Sequence, residues 1–319
     1  MAVLILIKLN KLKNKYKILL IGYSNIARKR YIRTFIKNRI PFCIASKSLK
    51  KKIKGSYLQF HDYDEALKHS GANIVYLSLP NSMHFNWSEK ILNLGFHLIV
   101  DKPITTKIGQ LKHLIRIAKK KKLLLAEATF FNYHSQFELA KKHIGNRNNI
   151  EQIFVNFTIP MPKKNSLLLS KKFEGGALLD MGNYAASVNR ILINEKLKRK
   201  SVIIKKNINK LVTSFDIFLQ YRTKIFNGTF RFGGEYKNEI LIYVKNKSIE
   251  IQRFFSPPDD IKLKIKINEK NQSKIIKIKK DNCYENFLFE VIKNIKKKRY
   301  NFYKKIMLKD EHFRLSLIK

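Results

Sequence analysis

Acidic side chains are scarce in this chain of 319 residues: 23 Asp and Glu face 66 Lys and Arg, leaving a formal net charge of +43. Cysteine is almost absent. Cys43 and Cys283 have neither the number nor the spacing for a disulfide framework or a zinc site. A reducing compartment suits such a chain, and the expected localisation is cytoplasmic. Long apolar runs are missing as well. The opening M-A-V-L-I-L-I is interrupted at Lys8 and carries no basic n-region or small-residue cleavage site, and nothing later approaches the roughly 18 apolar residues that span a bilayer. An excess of positive charge ordinarily points to nucleic acid, a membrane surface or an acidic substrate. Here the lysines run from Lys8 to Lys319 without forming a stripe, beside abundant Ile and Asn. That pattern reads as the bias of an A/T-rich coding sequence, so no nucleic-acid or membrane partner is expected. With 45% apolar residues the chain can bury two cores.

After an N-terminal extension of residues 1–15, the chain to about residue 130 alternates short apolar runs with amphipathic stretches, the pattern of β-α units and a parallel sheet. Strands are expected at 17–21, 41–45, 74–79, 97–100 and 123–126, with helices at 26–37, 64–69, 87–94 and 108–121. Beyond residue 150 the period changes. Phe215, Ile217, Leu219 and Tyr221 alternate with polar positions, as do Ile261, Leu263, Ile265 and Ile267, which means antiparallel strands with one packed face. A loop over 268–272 would turn the second of these into a strand at 275–278, and the lysines at 262, 264 and 266 would guard an edge. Helices are expected at 176–193 and 284–295. The fold class is therefore α/β: a doubly wound parallel sheet over residues 16–126, then an α+β domain over 127–319 with an open, mainly antiparallel sheet.

The first strand is followed by G-Y-S-N-I-A, where a dinucleotide fold places G-x-G-x-x-G/A. Glycine there lets a pyrophosphate approach the helix N-terminus, whose amides and dipole favour anions. Gly22 and Ala27 fit and Ser24 replaces the middle glycine; Asn25 and Ile26 open the helix. The same residues would also make a plain strand-turn-helix. The second strand ends in Ser46 and Lys47 with no carboxylate to bind a ribose hydroxyl, which favours NADP(H) over NAD(H). Pro80, Asn81 and His84 follow the next strand of the sheet, at the end where open sheets bind ligands; a purely structural hydrogen bond would equally explain the histidine. The remaining histidines have no metal-ligand spacing, and no metal is expected.

Four further motifs carry a resemblance: L-P-N-S-M-H at 79–84, V-D-K-P at 100–103, E-A-T-F-F-N-Y-H-S-Q at 127–136 and E-G-G-A-L-L-D-M-G-N-Y at 174–184. In this order, and with S-I-E-I-Q-R-F-F-S-P-P at 248–258, they resemble the Gfo/Idh/MocA family of oxidoreductases, its tyrosine-containing members in particular. The resemblance covers about residues 16–295. It implies a Rossmann domain, a second domain whose open sheet often serves oligomerisation, and hydride transfer between NAD(P) and a sugar or related alcohol or ketone. On that reading Lys102 is the lysine beside the reacting hydroxyl, with Asp101 where Glu is usual, and the nicotinamide lies near Pro80, Asn81 and His84. Asp180 and Tyr184, four apart on one helical face, complete the catalytic set, with Tyr184 as proton donor tuned by the Lys102 ammonium. Gly176, one turn earlier, would leave room for a ligand. Glu127, Asn132 and His134 are implied at the substrate, although Asn132 and Ser135 stand where the family has Arg and Pro. The resulting expectation is an NADP-dependent oxidoreductase of a sugar or nucleotide sugar, working as a homo-oligomer. Reduction of a dihydrodiol or small ketone is one alternative; a basic binding protein that has lost the chemistry is another, which the intact Lys102, Asp180 and Tyr184 oppose.

Overall fold

Four strands adjacent in one sheet, buried but for His97, give the first half its frame. The structure, a computed structural model, describes residues 16–207 and 210–318; the expected extension over 1–15 lies outside them. Strands β1 (Ile18–Ile21), β2 (Phe42–Ala45), β4 (Ile74–Leu77) and β5 (His97–Val100) are joined by β3 (Gln59–Phe60) and β6 (Leu125–Glu127) in a parallel sheet of order β3-β2-β1-β4-β5-β6. Near-continuous runs such as I-L-L-I are what a sheet covered on both faces requires. The covering helices are α1 (Ile32–Lys37, entered through a π-helical turn Ala27–Tyr31), α2 (Tyr63–His69), α3 (Asn81–Asn93) and α4 (Ile108–Lys120). Asp62 caps α2, accepting from the amides of Asp64 at 2.8 Å and Glu65 at 2.9 Å. Helix α3 starts six residues before the expected 87, since Pro80 at its N-cap, with φ −60° and ψ 148°, turns the chain straight into it.

The second half is built on an eight-stranded sheet of order β14-β13-β12-β11-β7-β10-β9-β8. Its strands are β7 (Ile150–Ile159), β8 (Arg199–Lys206), β9 (Val212–Gln220), β10 (Ile225–Phe232), β11 (Lys237–Val244), β12 (Lys247–Gln252), β13 (Lys264–Glu269) and β14 (Gln272–Lys277). Among the described pairings β7 with β10 is parallel and the others are antiparallel. Alternation sets the two faces. Phe215, Ile217, Leu219, Phe226, Phe230, Ile240 and Ile265 are buried on one, packed with helices α5 (Ser135–Ile144) and α6 (Ala177–Val188) in a single core. Phe154, Phe218 and Tyr243 are exposed on the other.

Two expectations about this sheet are corrected. The hairpin closes through Lys270 and Asn271, both at positive φ (49° and 61°), so β14 begins at Gln272, and the lysine-bearing β13 lies inside β14 and is not an edge. Ile261, placed in the strand by alternation, is 48% exposed and precedes it.

By their contacts the described residues form two compact units, 16–128 with 287–308, and 129–286 with 309–318. Helices α7 (Cys283–Lys296) and α8 (Lys304–Ser316) supply the late segments. Residues 287–308, given by sequence to the second domain, join the first through contacts such as the Tyr300 ring stacked on His97, centroids 5.6 Å apart. Among the described residues no helix is long and apolar enough to cross a membrane.

Candidate active site

In the first unit the site residues gather at the C-terminal ends of β1, β4 and β5. Gly22 has φ +98°, and a Cβ there would meet the carbonyl oxygen of Ser78 at 2.2 Å, so glycine is demanded by the closeness of the neighbouring strand end. Ser24 caps the helix that follows: its Oγ accepts from the Ala27 amide at 3.1 Å and its carbonyl from the Arg28 amide at 2.9 Å. The amides of Asn25 and Ile26 fall in the first turn, where a helix offers no internal acceptor. A serine at 24 therefore leaves the turn fit for a diphosphate, because its side chain is spent on Ser78, 2.7 Å away, and on the cap.

At the end of β2, Ser46 is buried with its Oγ 3.1 Å from that of Ser48. Lys47 is exposed and lies over the Tyr63 ring, 5.8 Å from its centroid. The sequence offered no carboxylate here. The structure brings Asp62 near enough to feel the Lys47 charge, but its carboxyl is held below the ordinary range first by the Glu65 amide and is committed to capping α2.

Lys102 follows β5 and is joined to Pro103 by a cis peptide bond. Two of the residues expected beside the ligand, His84 and Glu127, brace this turn. His84 is wholly buried, with Nδ1 2.7 Å from Pro103 O and Nε2 2.8 Å from Leu79 O. A neutral imidazole donates through one of these at a time and an imidazolium through both. Glu127 Oε2 accepts from the Ile104 amide at 2.9 Å. The lysine thus starts from a turn clamped on both flanks. Asp101 beside it is held by two donors, Tyr76 Oη to Oδ1 and Ser78 Oγ to Oδ2 at 2.5 Å. Burial pushes its carboxyl above the ordinary range, against those hydrogen bonds. Tyr76 and Ser78 escaped sequence reasoning; hydroxyls in the otherwise apolar I-V-Y-L-S were the available signal.

In the second unit Asp180 lies in the first turn of α6 and Tyr184 one turn on. The Tyr184 ring is boxed by Phe255, Phe157 and Phe131, with centroids at 5.0, 5.2 and 5.9 Å. Gly176, with φ +109°, is corrected from a ligand gap to a packing requirement: a Cβ there would meet Val212 O at 3.2 Å, and one on Gly175 would meet Leu168 O at 2.5 Å. His134 is 1% exposed and caps α5, its Nδ1 accepting from the Gln136 amide at 3.1 Å; burial lowers its pKa, against the pull of Asp281. Ser135 donates its amide to Asp281 Oδ2 at 2.6 Å, a bond the family's proline could not make. Asn132 Oδ1 is enclosed with no hydrogen-bond partner among the described residues.

Residues 16–129 match the sequence profile of GFO_IDH_MocA, described as an oxidoreductase family with an NAD-binding Rossmann fold. Over these residues the chain is similar to the Gfo/Idh/MocA family. Among characterised proteins, the chain is 26% identical over 193 residues to dTDP-3,4-didehydro-2,6-dideoxy-α-D-glucose 3-reductase of Streptomyces violaceoruber, covering 58% of this chain and 56% of that one. It is 24% identical over 174 residues to trans-1,2-dihydrobenzene-1,2-diol dehydrogenase of Xenopus tropicalis, 52% of this chain and 51% of the relative. The chain thus matches little more than half the length of these relatives. The fold is that of a 3-ketoreductase from Actinomadura kijaniata, crystallised with NADP and TDP-benzene: TM-score 0.85 at 20% identity, over 93% of this chain and 94% of that one.

Proposed function

We propose that this protein is an NADP(H)-dependent oxidoreductase that moves a hydride between the nicotinamide and a hydroxyl or ketone carbon of a nucleotide-linked sugar, in deoxysugar or surface-polysaccharide synthesis. One observation carries the reading. In a sheet of order β3-β2-β1-β4-β5-β6, the Gly22 turn and Asp101-Lys102-Pro103 follow the ends of β1 and β5 on either side of β4, where open parallel sheets bind ligands. The reductases and dehydrogenase named above support the same chemistry.

The dinucleotide, when bound, supplies or accepts the hydride. The chain's own residues manage the oxygen. As a ketone is reduced, negative charge grows on that oxygen, and the Lys102 ammonium stabilises it. Tyr184 gives it the proton, or removes one in reverse, with its ring fixed by three phenylalanines. Asp180, one turn away on the same helix, orients Tyr184. The choice of NADP(H) rests on Ser46 and Lys47 and on the occupation of Asp62 as a helix cap. Exposed Phe154, Phe218 and Tyr243 suit the open sheet to a second copy of the chain. The aromatic box around Tyr184 favours a second reading, a small apolar ketone or dihydrodiol, which competition between the two substrate classes decides.

Native mass spectrometry of the purified protein is expected to show a retained dinucleotide bearing the extra phosphate. In an NADPH-consumption assay with a dTDP-linked 3-keto sugar, Tyr184→Phe is expected to lower kcat about 100-fold or more. A protein that binds no dinucleotide, or a Tyr184→Phe variant with full turnover, overturns the reading.

A further inference from the structure

Two residues of the first unit depart from the family's pattern, Ser24 at the middle glycine of the phosphate turn and Asp101 at the glutamate before the lysine, and the structure joins them. Ser78 lies between, 3% exposed and one residue past β4. Its Oγ is 2.7 Å from that of Ser24 and 2.5 Å from Asp101 Oδ2. The backbone is stitched alongside: the Ser78 amide donates to Ile21 O at 2.8 Å and the Asp101 amide to Leu77 O at 3.0 Å.

With Asp101 ionised, valence fixes the direction of every proton in this row. A carboxylate has none to give, so Tyr76 and Ser78 both donate to Asp101. Having spent its proton there, Ser78 accepts from Ser24. Having spent its own, Ser24 presents a lone pair to the Ala27 amide. The chain therefore has one sense, from the first turn of the helix to the carboxylate beside Lys102. An aspartate is one methylene shorter than the usual glutamate, and the hydroxyl of Tyr76, a buried residue, makes up the difference.

We infer that Asp101, acting through Ser78 and Ser24, is a positioning residue that holds the phosphate turn and the strand end bearing Lys102 as one body. The inference rests on the dinucleotide-binding part of the proposed function. Affinity for the dinucleotide is then set partly by a carboxylate that never touches it, and the three side chains act as a unit.

The test is NADPH titration by fluorescence, which needs no sugar substrate, with thermal melts as a check on folding. Asp101→Asn, Ser78→Ala and Ser24→Gly are each expected to weaken NADPH binding on the order of tenfold, the scale of one broken charge-assisted hydrogen bond. Ser78→Thr, which keeps the hydroxyl, is expected to bind as the wild type does. Adding Asp101→Asn to Ser24→Gly is expected to cost no more than either alone, because the row is already cut. Asp101→Glu with Tyr76→Phe, which exchanges a long donor for a long acceptor, is expected to recover wild-type affinity. Ser24→Gly puts back the family's residue and keeps the test open should Asp101→Asn fail to fold. Single variants that bind within twofold of the wild type, or losses that add as independent effects, overturn the inference. A wild type that binds no NADPH overturns the proposed function first, and the wild-type titration alone reveals it.

Discussion

His97 opens β5 with its Nδ1 accepting from the Leu124 amide at 3.0 Å and its ring against Tyr300. An imidazole that accepts at Nδ1 carries its proton on Nε2, and a second proton would break that bond. Burial accordingly lowers its pKa to about 4. The unfolded chain, titrating near 6.5, binds the proton more readily, so the stabilisation is complete above pH 6.5 and is lost as pH falls through about 4. Allowing for partial exposure it is worth about 2 kcal/mol. Between pH 6.5 and 4 the Tm of His97→Gln is expected to fall less steeply than that of the wild type, by circular dichroism; parallel curves would remove His97 from the account. Residues of this kind mark what a sequence conceals. Lys102, Asp180 and Tyr184 could be nominated from the sequence because motif and side-chain chemistry coincide there. His84, Glu127 and His134 were singled out by type, yet what each holds (the Pro103 carbonyl, the Ile104 amide, the Gln136 amide) is settled by how the chain folds around it. Ser78 acquires its importance only once β1, β4 and β5 are neighbours.

Helix α6 carries Asp180 and Tyr184, and it is held from behind by the last turns of α8. Asp310, 3% exposed, accepts from Ser187 at 3.0 Å and from Arg190 at 2.7 and 3.0 Å. Arg314 lies across Gly182, where a Cβ would come within 2.9 Å of its Cγ, and is paired with Glu311. Removing one partner of an enclosed ion pair strands the other, at a cost of about 3 kcal/mol. Asp310→Ala is therefore expected to lower the urea midpoint of unfolding while leaving the denaturant slope unchanged; an unaltered midpoint would contradict this view of the helix. Elements with a clean period were legible, α4, α6 and β9 among them. Those with a broken one were not. In β10 the inward series Phe226, Phe230, Phe232 is interrupted at Gly228, and β8, R-K-S-V-I-I-K-K, lies mostly exposed as an edge. Helix α5 was missed because its cap is a histidine, a residue outside the usual Ser, Thr, Asp and Asn signal.

Across the whole molecule the change of hydrophobic period was enough to separate a parallel sheet from an antiparallel one, and the fold class followed from it. A net charge of +43 acts at this scale too. With so few carboxylates, most lysines repel one another through solvent, and salt shortens the range of that repulsion, to about 10 Å at 0.1 M. Raising sodium chloride from about 0.05 to about 0.5 M is expected to raise the Tm by about 5 °C in differential scanning calorimetry; a Tm indifferent to salt would mean that self-repulsion is negligible. The order in which the chain is made matters as well. Because residues 287–308 belong to the unit that starts the chain and 309–318 to the other, no single cut yields two whole halves. A ribosome must reach residue 308 before the first unit owns all its parts, so that unit waits, unfinished, while the larger sheet is being translated.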